Sequence, residues 1–336
     1  VNLNAETGIG VTGPNGALET TISNVVATVD AVGGIDIAES DSLTIQQAVT
    51  TDGSINFDVF GNLTVDDGGA VGDAVSAGSG GTVRLATNAD LIVNSEVVTT
   101  NASIDLLAHN DVSFSNNLTD NGNVSSTGGD ITITADADMT AGGAITQDDG
   151  LSINAGDGEI SIQAENDITL ANVVTTNTGA NALFIQSDAG ALLDGGETDV
   201  DLIANTGAAV TTIRTATGVG TTANPLETSL VTLDLVNSNS GEIQLRETDA
   251  LTLRNIEQNG AGITDIRSIG TLTADNGAGT GNAVVSNGAG AIHLEATGAG
   301  SDVQVNDGIS STTGNIELIA SGAGGDVNVN GDVSTT

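Results

Sequence analysis

The sequence contains no cysteine, tryptophan or tyrosine, and only two prolines among 336 residues. Without cysteine, disulfide bonds, thiolate nucleophiles and cysteine-based metal sites are excluded. Aromatic residues make up 1% of the chain, as four phenylalanines, whereas hydrophobic residues make up 38%. The core must therefore be thin and built from Val, Ile, Leu and Ala.

Basic residues are also scarce. The chain has five arginines, no lysine and 44 acidic residues, which gives a formal net charge of −39. Because nucleic acids are bound through basic side chains that neutralise phosphates, we expect no binding of nucleic acid. Anionic lipids would repel the chain, and no apolar run approaches the ~18 residues of a membrane span, so we expect no membrane insertion. The acidic surface should attract cations.

A short unit recurs along the chain. Two segments that alternate apolar and polar residues follow one another, and an aspartate precedes the second segment, as in Gly34-Ile35-Asp36-Ile37 followed by Asp41-Ser42-Leu43-Thr44-Ile45. Alternation over three to five residues is typical of a short strand with one buried face. Further paired segments start at Ser103 and Asp111, Asp130 and Asp138, Glu159 and Asp167, and Glu242 and Asp249.

Strands this short are unstable alone, but a chain that winds so that each strand pairs with its equivalent one coil above buries its aliphatic residues in one column. The sequence therefore predicts an all-β fold, a parallel β-helix (β-solenoid) of short strands that runs continuously over residues 1–336. About 20–25 residues per coil give roughly 15 coils. Neither end resembles a cap, so we expect exposed strand edges at both ends.

A longer repeat is superimposed on the short one. Leu18-Glu19-Thr20 recurs as Leu226-Glu227-Thr228, and Ile35-Asp36-Ile37 recurs as Ile243-Gln244-Leu245, both displaced by 208 positions. Later matches drift to slightly larger displacements. The spacing predicts an internal super-repeat of about 208–215 residues, with a first copy over 1–208 and a partial second copy over 209–336.

The segment from Gly218 to Thr228, with Asn224-Pro225-Leu226 near its end and alternating strands after it, resembles giant bacterial repeat exoproteins similar to filamentous haemagglutinin-like β-helix adhesins. A looser version stands between Gly8 and Thr20 in the first copy. The resemblance implies a right-handed β-helix, secretion, an extracellular or cell-surface location, and a role as a stalk, adhesin or fibre. The motif is structural and implies no catalytic residues.

The aspartates that precede second segments allow two interpretations. They could form a ladder of like charges that bound cations relieve, or they could suit the turns by accepting hydrogen bonds from nearby backbone N–H groups; we favour the turns. The aspartates of this series are Asp41, Asp90, Asp111, Asp138, Asp167, Asp249, Asp302 and Asp326.

Two further features suggest cations. The loop over 66–73 offers the carboxylates of Asp66, Asp67 and Asp73, the ligand type of hard cations, although a solvated loop is the favoured interpretation. The glycine-rich segments 298–303 and 322–327 resemble calcium-binding nonapeptides, but they stand 24 residues apart and not in tandem. We therefore expect no specific metal or cofactor site and only weakly bound Ca²⁺.

Catalytic residues are not expected. Carbohydrate-active enzymes built on β-helices use clustered carboxylates or basic residues beside aromatic sugar platforms, and this chain lacks Trp, Tyr and Lys. The two histidines, His109 and His293, stand 184 positions apart near predicted strands or turns. An enzyme of this kind is therefore the remotest alternative.

The sequence predicts a structural segment of a secreted or cell-surface bacterial fibre, stalk or sheath. We expect self-association into a fibre or membership of a longer chain, with an acidic surface that attracts cations. The alternative is an adhesin that recognises a glycan or host protein through the loops 66–81 and 274–290, since loops that leave a repeat scaffold often carry binding.

Overall fold

A computed structural model describes residues 1–10, 16–69, 72–116, 121–140, 142–196, 199–277 and 281–335. These residues form short strands and no helix, and parallel strands stack in coils as a β-solenoid of about 13 turns. The predicted parallel β-solenoid is confirmed. There are fewer turns than the roughly 15 predicted, because several coils are longer than 25 residues: Ile55 pairs with Val83, and Leu272 pairs with Val303.

The chain divides into two compact units. The first comprises Val1–Glu165 and Asn172–Thr175, and the second comprises Asn166–Ala171 and Thr176–Thr336. No helix in the described ranges has the length and apolar character needed to cross a bilayer.

Strands are numbered in chain order. Those of the first unit are β1 (Asn2–Ala5), β2 (Leu18–Thr20), β3 (Asn24–Val32), β4 (Ile35–Glu39), β5 (Leu43–Asp52), β6 (Ile55–Val59), β7 (Leu63–Val65), β8 (Val75–Ala77), β9 (Val83–Thr87), β10 (Leu91–Val93), β11 (Val97–Thr99), β12 (Ile104–Ala108), β13 (Val112–Phe114), β14 (Val124–Ser126), β15 (Ile131–Thr134), β16 (Ile145–Gln147), β17 (Ile153–Asn154), β18 (Ile160–Ala164) and β20 (Val173–Val174).

Those of the second unit are β19 (Ile168–Leu170), β21 (Leu183–Ser187), β22 (Leu192–Asp194), β23 (Leu202–Ala204), β24 (Val210–Thr215), β25 (Leu226–Leu230), β26 (Thr232–Asn237), β27 (Ile243–Glu247), β28 (Leu251–Gln258), β29 (Thr264–Ser268), β30 (Leu272–Ala274), β31 (Asn282–Ser286), β32 (Ile292–Ala296), β33 (Val303–Val305), β34 (Gly308–Ser311), β35 (Ile316–Ala320), β36 (Val327–Val329) and β37 (Val333–Thr335).

The core consists of mainly aliphatic columns, because successive residues of a strand point to opposite faces and equivalent residues of stacked strands lie above one another. Each buried Ile, Leu or Val contributes about 1.5–3 kcal/mol through the hydrophobic effect. One fully buried column in the first unit contains Ile35, Ile55, Val83, Ile104, Ile131 and Ile160. The next contains Ile37, Phe57, Leu85, Leu106, Ile133 and Ile162.

Glycines allow the coils to approach closely at a corner of the second unit. Gly241 has a φ of 83°, and a Cβ built there would overlap the carbonyl oxygen of Thr217. A Cβ at Gly262 would overlap the carbonyl oxygen of Gly241. Only glycine fits a corner where one backbone lies directly on the next.

The same succession of pairings occurs in each unit. In the first unit β2 pairs with β4, β4 with β6, β6 with β9, and β9 with β12. In the second, β25 pairs with β27, β27 with β29, β29 with β32, and β32 with β35. Moreover, β5 pairs with both β7 and β8, as β28 does with both β30 and β31. The sequence matches displaced by about 208 positions thus lie in strands with equivalent partners.

Thr264 interrupts an inward apolar column. It lies between Ile243 and Ile292 and is 1% exposed, and its hydroxyl oxygen has no hydrogen-bond partner within the described ranges. A buried hydroxyl without a partner costs about 1–3 kcal/mol. We therefore predict that Thr264→Val raises the free energy of unfolding by about 1 kcal/mol, measured by urea denaturation.

The control for this prediction is Thr228→Val. The hydroxyl of Thr228 donates a hydrogen bond to a carboxyl oxygen of Glu247 at 2.9 Å, so its removal should lower the free energy of unfolding by about 1 kcal/mol. A Thr264→Val variant that is less stable than the wild type would show that the hydroxyl is satisfied in solution.

Candidate cation site

Three acidic residues of the second unit converge where β22, β23 and β25 approach. Asp194 ends β22, Asp201 precedes β23, and Glu227 lies on β25. One carboxylate oxygen from each lies within 4.8 Å of the others. Asp201 is fully buried and Asp194 is 8% exposed. Stacking of neighbouring coils brings these acidic residues together. The backbone N–H of Glu227 donates a hydrogen bond to Oδ2 of Asp201 at 2.8 Å.

The chemistry of this cluster suits a hard cation. Ca²⁺ prefers carboxylate and carbonyl oxygens and tolerates irregular geometry, so Asp194, Asp201 and Glu227 could supply three ligands. Carboxylate clusters also form without a cation, and the cluster by itself defines no function. The sequence predicts no specific metal ligand. Glu227 belongs to the recurring Leu-Glu-Thr motif. That motif does not show that Asp194 and Asp201 lie beside Glu227.

Four of the aspartates that precede second segments join neighbouring coils. Their carboxylates accept backbone N–H groups from residues 21–33 positions away, so neither the nearby-turn interpretation nor a bare charge ladder describes them fully. Hydrogen bonds with an ionised acceptor are stronger than those between neutral groups. The accepting carboxylates and their N–H donors are Asp90 with Asp111 (3.5 Å), Asp111 with Ala144 (2.8 Å), Asp167 with Ala191 (2.8 Å) and Asp302 with Asp326 (2.9 Å).

Asp138 differs from these four aspartates. Both of its carboxylate oxygens accept the hydroxyl of Thr140 at 3.0 Å, and its Oδ2 lies 3.5 Å from Nδ1 of His109. The carboxylate of Asp138 therefore accepts hydrogen bonds within its own turn. Burial raises the pKa of Asp138, but the hydrogen bonds from Thr140 and the charge of His109 outweigh it, so the pKa lies below its ordinary value.

The loop over 66–73 also uses its carboxylates locally. Oδ1 of Asp66 accepts the N–H of Gly68 at 2.9 Å, and Oδ2 of Asp66 accepts the side-chain amide of Asn94 at 3.1 Å. In the second unit, Asp275 accepts the N–H of Gly277 at 2.8 Å and the side-chain amide of Asn306 at 3.2 Å. Residues 70–71 and 278–280 lie outside the described residues. In the described part, these aspartates close turns and anchor the loops.

Two glutamates with inward-facing side chains occupy equivalent positions at the ends of β4 and β27. Glu39 accepts the hydroxyl of Thr20 at 2.7 Å and the N–H of Ile22 at 2.9 Å. Glu247 accepts the hydroxyl of Thr228 at 2.9 Å and the N–H of Leu230 at 3.2 Å. Each glutamate therefore links its own coil to the coil below.

These two glutamates differ in acidity. Burial, reinforced by the neighbouring carboxyl of Asp249, raises the pKa of Glu247 to about 9. Burial also raises the pKa of Glu39, but the hydrogen bonds from Thr20 and from three backbone N–H groups outweigh it, so the pKa of Glu39 lies below its ordinary value. At neutral pH, Glu247 is thus protonated and Glu39 is ionised.

Four of the five arginines lie in the second unit and pair with acids on neighbouring coils. Asp234 lies between Arg214 at 2.9 Å and Arg254 at 3.1 Å. Asp265 lies 3.1 Å from both Arg246 and Arg267. Burial raises the pKa of Asp265, but hydrogen bonds from Arg267 and His293 and the charge of Arg246 hold it below its ordinary value.

The histidines do not meet in one site. His109 belongs to the first unit and contacts Asp138, whereas His293 belongs to the second unit and lies among carboxylates. The expectation that neither histidine is catalytic stays a prediction.

The raised pKa of Glu247 makes stability depend on pH. The folded chain keeps a proton that the unfolded chain releases near pH 4.5, so the contribution is fully present below pH 4.5 and is lost as pH rises through about 9. Because glutamine does not ionise, Glu247→Gln should remove this loss of stability at high pH. We predict that the difference in free energy of unfolding between the variant and the wild type grows from about pH 5 to about pH 9, by up to about 1.4 kcal/mol per pH unit.

Urea denaturation across that range measures this difference, and Glu39→Gln is the matched control. Because the pKa of Glu39 is lowered, its contribution changes only as pH falls below the ordinary range. The difference between Glu39→Gln and the wild type should therefore stay constant above about pH 5. Parallel profiles for Glu247→Gln and the wild type would show that Glu247 is ionised in the folded chain.

No known protein family, characterised protein or solved structure matches this chain in the three comparisons made. The likeness to filamentous haemagglutinin-like exoproteins therefore rests on the repeat motif alone. What the geometry establishes is a parallel β-solenoid whose carboxylates and arginines link successive coils.

Proposed function

We propose that this chain is a structural segment of a bacterial fibre, stalk or sheath that is secreted or displayed on the cell surface. The observation that carries the proposal is the continuous hydrogen bonding between coils within each unit. A protein whose stability comes from stacking one coil on the next is suited to span distance and bear load.

The backbone ladder shows how the coils are joined. In the first unit, Ile55 donates to the carbonyl of Thr82 at 2.8 Å, and Val83 donates to the carbonyl of Ser103 at 3.0 Å. Ile104 then donates to the carbonyl of Asp130 at 2.9 Å. Separating two coils would break these bonds and expose apolar columns to water at the same time, so the coils resist separation.

The acidic composition fits an extracellular fibre. Aspartates such as Asp111 and Asp167 accept N–H groups of the next coil, so part of the negative charge stabilises the stack. The remaining charge keeps chains apart in dilute salt and is screened by cations in saline surroundings. Weakly bound Ca²⁺ would also screen this charge.

Apolar side chains at β36 offer a surface for association. Val327 and Val329 stand in register above the buried Val303 and Val305, yet they are 42% and 51% exposed. Within the described residues, β36 pairs only with β33. A strand supplied by a second copy of the chain would bury these valines and continue the ladder.

Association of the 336-residue chain tests the proposal. We predict that sedimentation velocity at rising protein concentration shows reversible assembly, and that negative-stain microscopy shows filaments, because covering Val327 and Val329 removes apolar surface from water. Replacing both valines by Asp should abolish assembly. Replacing the outward-facing Asn328 and nearby Asn330 by Asp adds the same charge and should leave assembly largely intact.

Two outcomes would contradict the proposal. One is a chain that stays monomeric at every concentration, with and without millimolar Ca²⁺. The other is equal loss of assembly in the valine and asparagine variants, which would attribute association to net charge and not to the apolar face. Circular dichroism on both variants checks that the solenoid remains folded.

A further inference from the structure

The outward face of β29, β32 and β35 places an imidazole among carboxylates. We propose that His293, Glu295 and Glu317 form a binding site for a first-row divalent cation of the Zn²⁺ class. Zn²⁺ is commonly held by His nitrogen and carboxylate oxygen, often with a water completing four ligands. This site is separate from the oxygen-only cluster around Asp201.

Strand register assembles the site from three coils. Asp265 pairs with His293 on the next strand, and His293 pairs with Glu317 on the strand after it. Glu295 lies two residues beyond His293 on the same strand and therefore points to the same face. His293 and Glu295 come from one coil and Glu317 comes from the next, so the sequence alone does not show that the three residues meet.

Hydrogen bonding fixes the imidazole in the orientation that a metal ligand needs. Nδ1 of His293 lies 2.6 Å from Oδ1 of Asp265. A carboxylate that accepts the Nδ1 proton leaves the lone pair of Nε2 free to coordinate, which is the usual arrangement around metal-bound histidine. Asp265 is itself held by Arg246 and Arg267, each at 3.1 Å. The imidazole is thus positioned by a fixed neighbour.

The other nitrogen faces two carboxylate oxygens. Nε2 of His293 lies 3.8 Å from Oε2 of Glu317 and 4.0 Å from Oε2 of Glu295. These separations are too long for hydrogen bonds. The three ligand atoms do not all lie within 4.8 Å of one another, so a cation with ligand bonds of about 2.0–2.2 Å requires the side chain of Glu317 to rotate toward Glu295. That side chain is 64% exposed and has room to rotate.

The neighbours of Glu295 leave one oxygen directed at the site. Ser321 donates its hydroxyl to Oε1 of Glu295 at 2.7 Å, so Oε2 faces His293. A guanidinium nitrogen of Arg267 lies 3.6 Å from that Oε2. Its positive charge is offset by Asp265, with which Arg267 makes hydrogen bonds at 3.1 and 3.3 Å.

The first unit provides a natural contrast. Strands β6, β9 and β12 follow the same pairing order as β29, β32 and β35, and Arg84 takes the place that His293 has in the second unit. Its paired neighbours are Asn56 and Asp105, and Ala86 lies two residues along the strand. An arginine cannot coordinate a metal, so the site is specific to the second unit and is not a general property of the repeat.

Isothermal titration of the full chain with ZnCl₂ tests the site. Millimolar CaCl₂ is included to saturate oxygen-only sites, because imidazole favours Zn²⁺ over Ca²⁺. We expect saturable binding that His293→Gln weakens at least about tenfold and that Glu317→Gln also weakens. His109→Gln is the matched control, since His109 contacts a single carboxylate in the described residues, and it should bind as the wild type does.

A second readout separates a metal site from an ion pair. In NMR spectra, Zn²⁺ should shift the imidazole resonances of His293 and leave those of His109 unchanged. The proposal is overturned if Zn²⁺ binding is absent, if His293→Gln binds like the wild type, or if the resonances of His109 move instead. His293 would then serve only as a hydrogen-bond partner of Asp265. Unchanged circular dichroism confirms that each variant is folded.

Discussion

Parallel pairing between successive coils is the constraint on which the rest of this structure depends. It sets a spacing of about 4.8 Å between stacked strands and places equivalent residues directly above one another. Inward columns are therefore mainly apolar and closely matched in size, as from Ile35 to Ile160. Outward columns bring polar residues from distant parts of the chain into contact, as with Asp265, His293 and Glu317.

Stacking also explains how a chain with a net charge of −39 can pack so closely. Like charges about 4.8 Å apart repel, and the structure offsets this in three ways. Aspartates such as Asp111 accept backbone N–H groups from the next coil, arginines of the second unit lie between acids such as Asp234 and Asp265, and Glu247 keeps its proton at neutral pH. Acidity and stability are therefore compatible.

The fold could be predicted from the sequence, whereas the clusters could not. Alternation of period two and the recurring Ile-x-Ile segments indicate short stacked strands, but the coil length varies, with partners 20 residues apart at Ile35 and Ile55 and 31 apart at Leu272 and Val303. This variation lowered the number of turns below the prediction. It also hid the grouping of Asp194, Asp201 and Glu227, because register between coils, and not spacing along the chain, decides which carboxylates meet.

Amide hydrogen exchange, followed by mass spectrometry at peptide resolution, tests the central claim that bonds between coils hold the structure together. Amides that donate to the next coil, such as those of Ile104 and Ile131, should exchange orders of magnitude more slowly than those of Gly68 and Gly69, which donate to loop carboxylates. Fast and uniform exchange along strands and loops would contradict the account, because the ladder between coils would then not persist in solution.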